Sequence, residues 1–202
     1  MKKVLELFCA LSFLMINLVQ GADLGPTATL KPVLEDLTAV LIDQGLKGKE
    51  HLSKRRTKIM SHIQRGFDFR EMSKRVLGPT WREIDENEKD TFTKLMTKLL
   101  ENVYIGKLEG YSGETVEFVA ETVKDDRAQV TTLIENQDTK IPVHYIMRKV
   151  DSRWMVYDIN IEGVSLVRNY QEQFKSILRT EKYTGLVKVL QDKNQSFLAG
   201  AQ

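Results

Sequence analysis

An α+β fold is predicted by the order in which apolar periodicity changes along this chain and by the turn signals that punctuate its middle. From residue 30 to residue 104 apolar side chains recur mainly at three- and four-residue steps; from 115 to 162 they alternate among Val, Ile, Thr and aromatics; from 164 onward helical spacing returns. Asp125-Asp126, Asn136-Gln137-Asp138 and Asp151-Ser152-Arg153 cut the middle stretch into runs at 115–124, 127–135, 140–150 and 154–162. Such spacing predicts a four-stranded antiparallel meander, with helices on its N- and C-terminal sides.

The elements follow in order. Leu30, Val33, Leu34, Leu37, Val40 and Leu41 make residues 30–44 an amphipathic helix, with Pro32 acceptable in a first turn and Gly45 near its end. Residues 51–63 form a more polar helix with Ile59, Met60 and Ile63 on one side. Asp68 is placed to cap a helix over 69–77, which Gly78-Pro79 stops. Asp85 and Glu88 have capping-box spacing and open a long helix carrying Phe92, Leu95, Met96, Leu99, Leu100, Val103 and Tyr104. After the meander, Gly163-Val164-Ser165 turns into a helix over 164–179 with Ser165 near its start, and residues 185–198 form the last helix.

Length and charge bound the function. The 202 residues, 42% of them hydrophobic, suffice for one core and one domain. Against 30 basic residues stand 28 acidic ones, with no long run of either sign, so a nucleic-acid surface is not expected.

Lys2 and Lys3 precede a mostly apolar run over 4–19 that ends in Val19-Gln20-Gly21 or Gln20-Gly21-Ala22, the pattern of a secretory signal peptide. The run is about sixteen residues, short of the roughly 20 a spanning helix needs, and Glu6 interrupts it. Residues 1–22 are therefore expected to be cleaved, leaving 23–202 as a single exported domain. Cleavage removes Lys2, Lys3 and Glu6, so 28 basic residues then face 27 acidic ones. It also removes Cys9, the one cysteine, and with it any disulfide or thiol chemistry.

Candidate chemistry is sparse. His51, His62 and His144 share no metal-ligand spacing with acidic residues, and neither a Gly-rich phosphate loop nor a Gly-x-Ser-x-Gly elbow occurs. No cofactor or metal is implied. His144 and Asp158, each on a predicted strand, could serve a small-molecule isomerase or dehydratase, with Tyr145 or Tyr157 polarising a carbonyl. Neighbours in a strand point to opposite faces, however, so His144 and Tyr145 cannot share a cavity without a bulge.

The strands carry apolar residues on both predicted faces. Val116, Phe118 and Ala120 oppose Val119 and Val123; Ile141, Val143, Tyr145 and Met147 oppose Pro142, Ile146 and Val150; Trp154 and Val156 oppose Met155, Tyr157, Ile159 and Ile161. Both faces are thus expected to need cover, either from helices packed on each side or from a curved sheet enclosing an apolar cavity.

Several motifs also form a set. Phe67-Asp68-Phe69 with Met72, the run Arg75-Val76-Leu77-Gly78-Pro79-Thr80-Trp81, Phe92 and Tyr104 resemble the MlaC family, also called toluene-tolerance auxiliary proteins. So do Ile141-Pro142-Val143, Tyr145, Trp154-Met155-Val156-Tyr157-Asp158, Ile161-Glu162-Gly163-Val164-Ser165-Leu166, Asn169-Tyr170 and Gln173-Phe174, in the same order. The likeness runs from about residue 30 to 195. Gln171 departs from it, standing where a basic residue is expected, although Arg168 is near.

The resemblance implies a sheet of cystatin/NTF2-like type wrapped by helices, and a non-enzymatic periplasmic phospholipid-binding protein. It further implies shuttling of lipid between an inner-membrane ABC transporter complex with an MCE-type substrate-binding subunit and an outer-membrane lipoprotein complex, which maintains outer-membrane lipid asymmetry. On that reading the lipid-binding pool is Trp81, Phe92, Leu95, Leu99, Val116, Phe118, Val143, Tyr145, Met147, Tyr157, Ile159, Val164, Val167 and Phe174. Arg75 and Arg148 are candidate headgroup or partner contacts. The competing readings are the His144/Asp158 enzyme and a fully packed periplasmic adaptor that binds no lipid.

Overall fold

A computed structural model describes residues 24–111, 113–135 and 139–199; the expected signal peptide and the Asn136-Gln137-Asp138 turn lie outside the described residues. The elements are α1 (Pro26–Ile42), α2 (Leu52–Gly66), α3 (Phe69–Leu77), α4 (Glu86–Glu109), β1 (Thr115–Lys124), β2 (Arg127–Glu135), β3 (Lys140–Val150), β4 (Arg153–Ile161), β5 (Val164–Ser165), α5 (Leu166–Thr180) and α6 (Lys182–Ala199).

The helix boundaries follow their caps. The Asp68 side chain accepts from the Glu71 amide at 2.9 Å to start α3. Gly78 ends it at φ 56°, a conformation that disfavours a β-carbon. Asp85 and Glu88 close a reciprocal capping box at α4, and the Ser165 hydroxyl accepts from the Arg168 amide at α5. The first helix departs from expectation: it begins at Pro26, so Pro32 sits inside it rather than in its first turn. Gly25 offers no side-chain cap, and instead Glu121 of β1 accepts from the Thr27 amide at 2.7 Å. A strand thereby fixes where α1 begins, which local patterning could not reveal.

The sheet is antiparallel in the order β1-β2-β3-β4-β5. Five strands replace the expected four. Glu162 and Gly163 take positive φ values of 51° and 86°, the geometry of a two-residue hairpin turn, and fold Val164–Ser165 back onto Asn160 and Ile161. Val164 is thus a strand residue, and α5 begins two residues later than predicted.

Two bulges correct the predicted faces. In β4, Ile146 pairs with Asp158 but Met147 with Val156, which leaves Tyr157 as an extra residue. One insertion inverts the parity of all that follows, so Ile159 and Ile161 join Trp154, Val156, Val143, Tyr145 and Met147 on one face. In β1 the register shifts between Phe118 and Ala120. Ala120 then pairs with Thr131, away from Val116 and Phe118. The fully buried apolar residues of the sheet therefore gather on one inner face, while Leu133, Pro142, Ile146, Val150 and Met155 stay half-buried on the other, so the bulges change which residues share a face and leave apolar side chains on both. The outer face carries Gln129, Thr131 and His144, whose Nδ1 lies 2.9 Å from the Thr131 hydroxyl.

Three apolar clusters result. Leu30 and Leu34 of α1 cover the inner face of the sheet. Phe92, Met96 and Leu99 of α4 pack with Met72 and Val76 of α3, Phe174 of α5 and Leu186 and Leu190 of α6. Leu37, Leu41, Ile59 and Ile105 join α1, α2 and the end of α4. Compact domains commonly hold one contiguous cluster, so the division directs attention to the space between.

Candidate functional site

Where the three clusters meet, the described residues leave an apolar cleft of about 740 Å³, counting open space at its mouth. Leu34 and Leu37 of α1 and Met60 and Ile63 of α2 form one side, and Phe67, Phe69 and Met72 another. Leu100, Tyr104, Ile105 and Leu108 of α4 face them, Tyr145 and Ile159 of the sheet form the floor, and Leu166 closes one end. Glu101 is the one charged residue on the wall.

Each wall is set by a local feature. The Phe67–Val156 bridge and the bond from the Asp68 amide to the Val156 carbonyl at 2.8 Å tie the start of α3 to the edge of β4. Phe67 and Phe69 stack beside the cleft with centroids 6.2 Å apart. The bulge at Tyr157 returns Ile159 to the inner face. Gly66 lets α2 approach α1: a β-carbon there would lie 3.0 Å from Val33. Across that pair, Arg65 binds Asp36, and the Arg55 guanidinium donates to the Leu41 carbonyl at 2.9 Å.

The wall is electrically quiet. Burial pushes the Tyr145 phenol up to about 12, and burial likewise raises that of Tyr104, which shares a hydrogen bond with Tyr170. Both phenols stay neutral at physiological pH. Glu101 is ion-paired with Lys98 at 2.9 Å. Such a cavity can desolvate an aliphatic or aromatic ligand and offers little to a reacting polar one.

Of the fourteen residues in the predicted pool, Tyr145 and Ile159 line the cleft. Trp81, Phe92, Leu95, Leu99, Val167 and Phe174 belong to the helical cluster, and Val116, Phe118, Val143 and Met147 to the inner face of the sheet. Tyr157 lies under Arg75, whose guanidinium carbon is 3.9 Å from the ring centroid, and Val164 is 52% exposed. The pool contains no residue of α1 or α2, although Leu34, Leu37, Met60 and Ile63 already stood out as helix-face residues. The usable signal was a basic, polar helix with Met60 and Ile63 left on one side.

The polar candidates fall elsewhere. Arg75 and Arg148 converge on Glu71, at 2.9 and 2.7 Å, and Glu71 is 8% exposed. Asp158 accepts from the Ser165 hydroxyl at 2.6 Å and from the Val167 amide at 3.0 Å, so both its oxygens serve the start of α5. His144 lies on the face opposite Tyr145, and neither His144 nor Asp158 lines the cleft. Gln171 reaches toward Gly78, where a β-carbon would meet its amide nitrogen at 3.4 Å.

Fold and cleft together define an α+β protein in which helices and one sheet face border an apolar space. Residues 31–192 match the model of the MlaC protein family, and the chain belongs to that family. Its fold is similar to that of a phospholipid-binding protein from Ralstonia solanacearum, solved in complex with a phospholipid. The two are 24% identical with a TM-score of 0.79, over 87% of this chain and 99% of that one.

Proposed function

We propose that this protein is a non-enzymatic periplasmic carrier that holds the acyl chains of a phospholipid in the cleft between α1, α2, α4 and the sheet. The observation that carries the reading is the wall itself, fourteen uncharged residues and one paired carboxylate around an apolar cleft, the concave and mostly apolar character usual for ligand sites. Membership of the MlaC family and the bound phospholipid of the Ralstonia relative support it.

The energetics explain why a carrier is needed. About thirty acyl methylenes exposed to water would cost on the order of 25 kcal/mol, at roughly 0.8 kcal/mol each. The cleft must offset most of that cost without exceeding it by much, or the lipid could not be passed on. Met60 and Met72, flexible and polarisable, suit a wall that must open around varied chains. Exchange would run between an inner-membrane ABC transporter complex with its MCE-type subunit and an outer-membrane lipoprotein complex, after cleavage of residues 1–22. That traffic would maintain outer-membrane lipid asymmetry.

Filling the cleft tests the reading. Met60→Trp and Ile63→Trp place bulk at half-buried positions on its wall. Each is expected to lower copurifying phospholipid at least about tenfold, a loss of roughly 1.4 kcal/mol, while circular dichroism stays that of the wild type. Undiminished lipid in both variants would place the acyl chains elsewhere.

A further inference from the structure

Basic residues are unevenly placed along this chain. Residues 44–66, the link between α1 and α2 together with α2, hold seven basic side chains and one acidic one, whereas the rest of the 23–202 span holds 21 basic against 26 acidic. Some of the segment's charge is used internally: Arg65 binds Asp36, and the buried Arg55 guanidinium donates to the Leu41 carbonyl. Lys47, Lys49, Lys54 and Lys58 are instead exposed and make no ion pair among the described residues. The one acid, Glu50, folds back against Gly48, where a β-carbon would lie 2.5 Å from its Oε1, and faces His51 at 3.8 Å.

We propose that these four lysines form a docking ridge for an anionic phospholipid bilayer, and that docking sets the opening of the cleft beside the membrane. The purpose of the ridge rests on the lipid-carrier reading; its attachment to a bilayer does not.

Helix geometry links the ridge to the cleft. Ser53, Thr57 and Met60 line a polar groove between α2 and α4, and this groove runs into the cleft, since Met60 and Glu101 line both. Lys54 and Lys58 each follow a groove residue by one position, about 100° round the helix, and stand four residues apart on one stripe. A surface held against that stripe therefore borders the groove. Lys47 and Lys49 carry the positive surface into the link before α2, with Gly48 between them at φ 100°.

The chemistry of the ridge selects a bilayer over a protein. Protein interfaces are enriched in aromatic residues and arginine and depleted of lysine, whereas residues 44–66 contain no Phe, Tyr or Trp and their exposed, unpaired cations are lysines. A lysine ammonium is a hydrated point charge on a flexible stem, which suits the diffuse negative potential of a lipid surface better than one fixed carboxylate. Each lysine held near an anionic surface strengthens attachment roughly fivefold. Ile42, 54% exposed at the end of α1, immediately precedes the segment and adds an apolar contact of the kind that enters the headgroup boundary.

Co-sedimentation with vesicles tests the proposal, using phosphatidylcholine alone or mixed in equal parts with phosphatidylglycerol. The wild type is expected to sediment with the mixed vesicles and not with the neutral ones, and to be released as salt rises. Lys47→Gln/Lys49→Gln/Lys54→Gln/Lys58→Gln is expected to bind the mixed vesicles at least about a hundredfold more weakly. Lys175→Gln/Lys182→Gln/Lys188→Gln/Lys193→Gln removes the same charge from exposed positions on α5 and α6 and is expected to bind as the wild type does. Equal loss in both variants would reduce the effect to net charge and overturn the ridge, as would equal binding of the wild type to both kinds of vesicle. A wild type that leaves anionic vesicles untouched yet crosslinks to a protein through Lys54 or Lys58 would overturn it in favour of an acidic partner protein. Copurifying phospholipid, measured by native mass spectrometry on the same samples, is expected to persist in both variants. Protein that binds mixed vesicles through the ridge but never carries lipid would sink the carrier reading and leave the docking surface standing.

Discussion

Tyr157 is one extra residue in β4, and its position determines what the cleft floor is made of. Without the bulge Ile159 would point away from Tyr145, as strict alternation predicts, and the floor would lose an aliphatic side chain. A bulge depends on pairing with β3 rather than on the residue's own neighbours, so the alternation in the sequence could not disclose it. Glu71 was hidden for a similar reason. It reads as an ordinary first-turn acid of α3, yet the fold brings Arg75 and Arg148 to it and buries it to 8% exposure. Removing it leaves two guanidinium groups facing each other. Because both arginines are about a third exposed, water screens part of the effect, and Glu71→Ala is expected to cost about 2 kcal/mol. Urea denaturation should give a lower midpoint at unchanged slope; a loss below about 0.5 kcal/mol would mean the network is solvated.

The legible elements are those whose boundaries are written locally. Asp68 and Gly78 bracket α3, Asp85 and Glu88 open α4, and the strand limits of β1, β2 and β3 agree with the turn residues around them. Elements set by distant partners were less legible: α1 begins where Glu121 reaches its first turn, and β5 exists because a tight turn returns two residues to β4. The α1–α2 pair bears most directly on the cleft, for it supplies the wall opposite α4. Its close approach depends on Gly66. In Gly66→Ala the new methyl would meet both Val33 methyls at 3.0 and 3.1 Å. Overpacking costs typically 1–3 kcal/mol, against a helix-propensity gain of about 1 kcal/mol. The net expectation is a loss of about 1 kcal/mol and a Tm lower by roughly 2–4 °C for a chain of this size. A higher Tm in a calorimetric scan would show that Val33 yields freely.

At the scale of the whole molecule, periodicity marks which residues seek burial but is silent on whether burial is complete. Phe92, Leu99, Met147 and Val156 fulfil that demand within closed clusters. Tyr145 and Ile159, equally apolar in pattern, border a space that no side chain of the described residues fills. The sequence accordingly showed the α+β layering well and the cleft poorly, and its pool of contact residues leaned toward the sheet and the centre of α4 when most of the wall comes from α1, α2, the Phe67–Phe69 segment and the end of α4. A cavity lined with Leu, Ile, Phe and Met forfeits packing energy while empty, and a ligand that binds only the folded state returns stability in proportion to its affinity. A protein with such a cleft therefore gains stability when a ligand fills it.

Native mass spectrometry of the protein purified without detergent, followed by denaturing extraction, reads that claim directly. A stoichiometric phospholipid adduct on the folded protein, displaced in Met60→Trp and Ile63→Trp, is the expected result. A bare polypeptide mass that persists after incubation with phospholipid vesicles would contradict it.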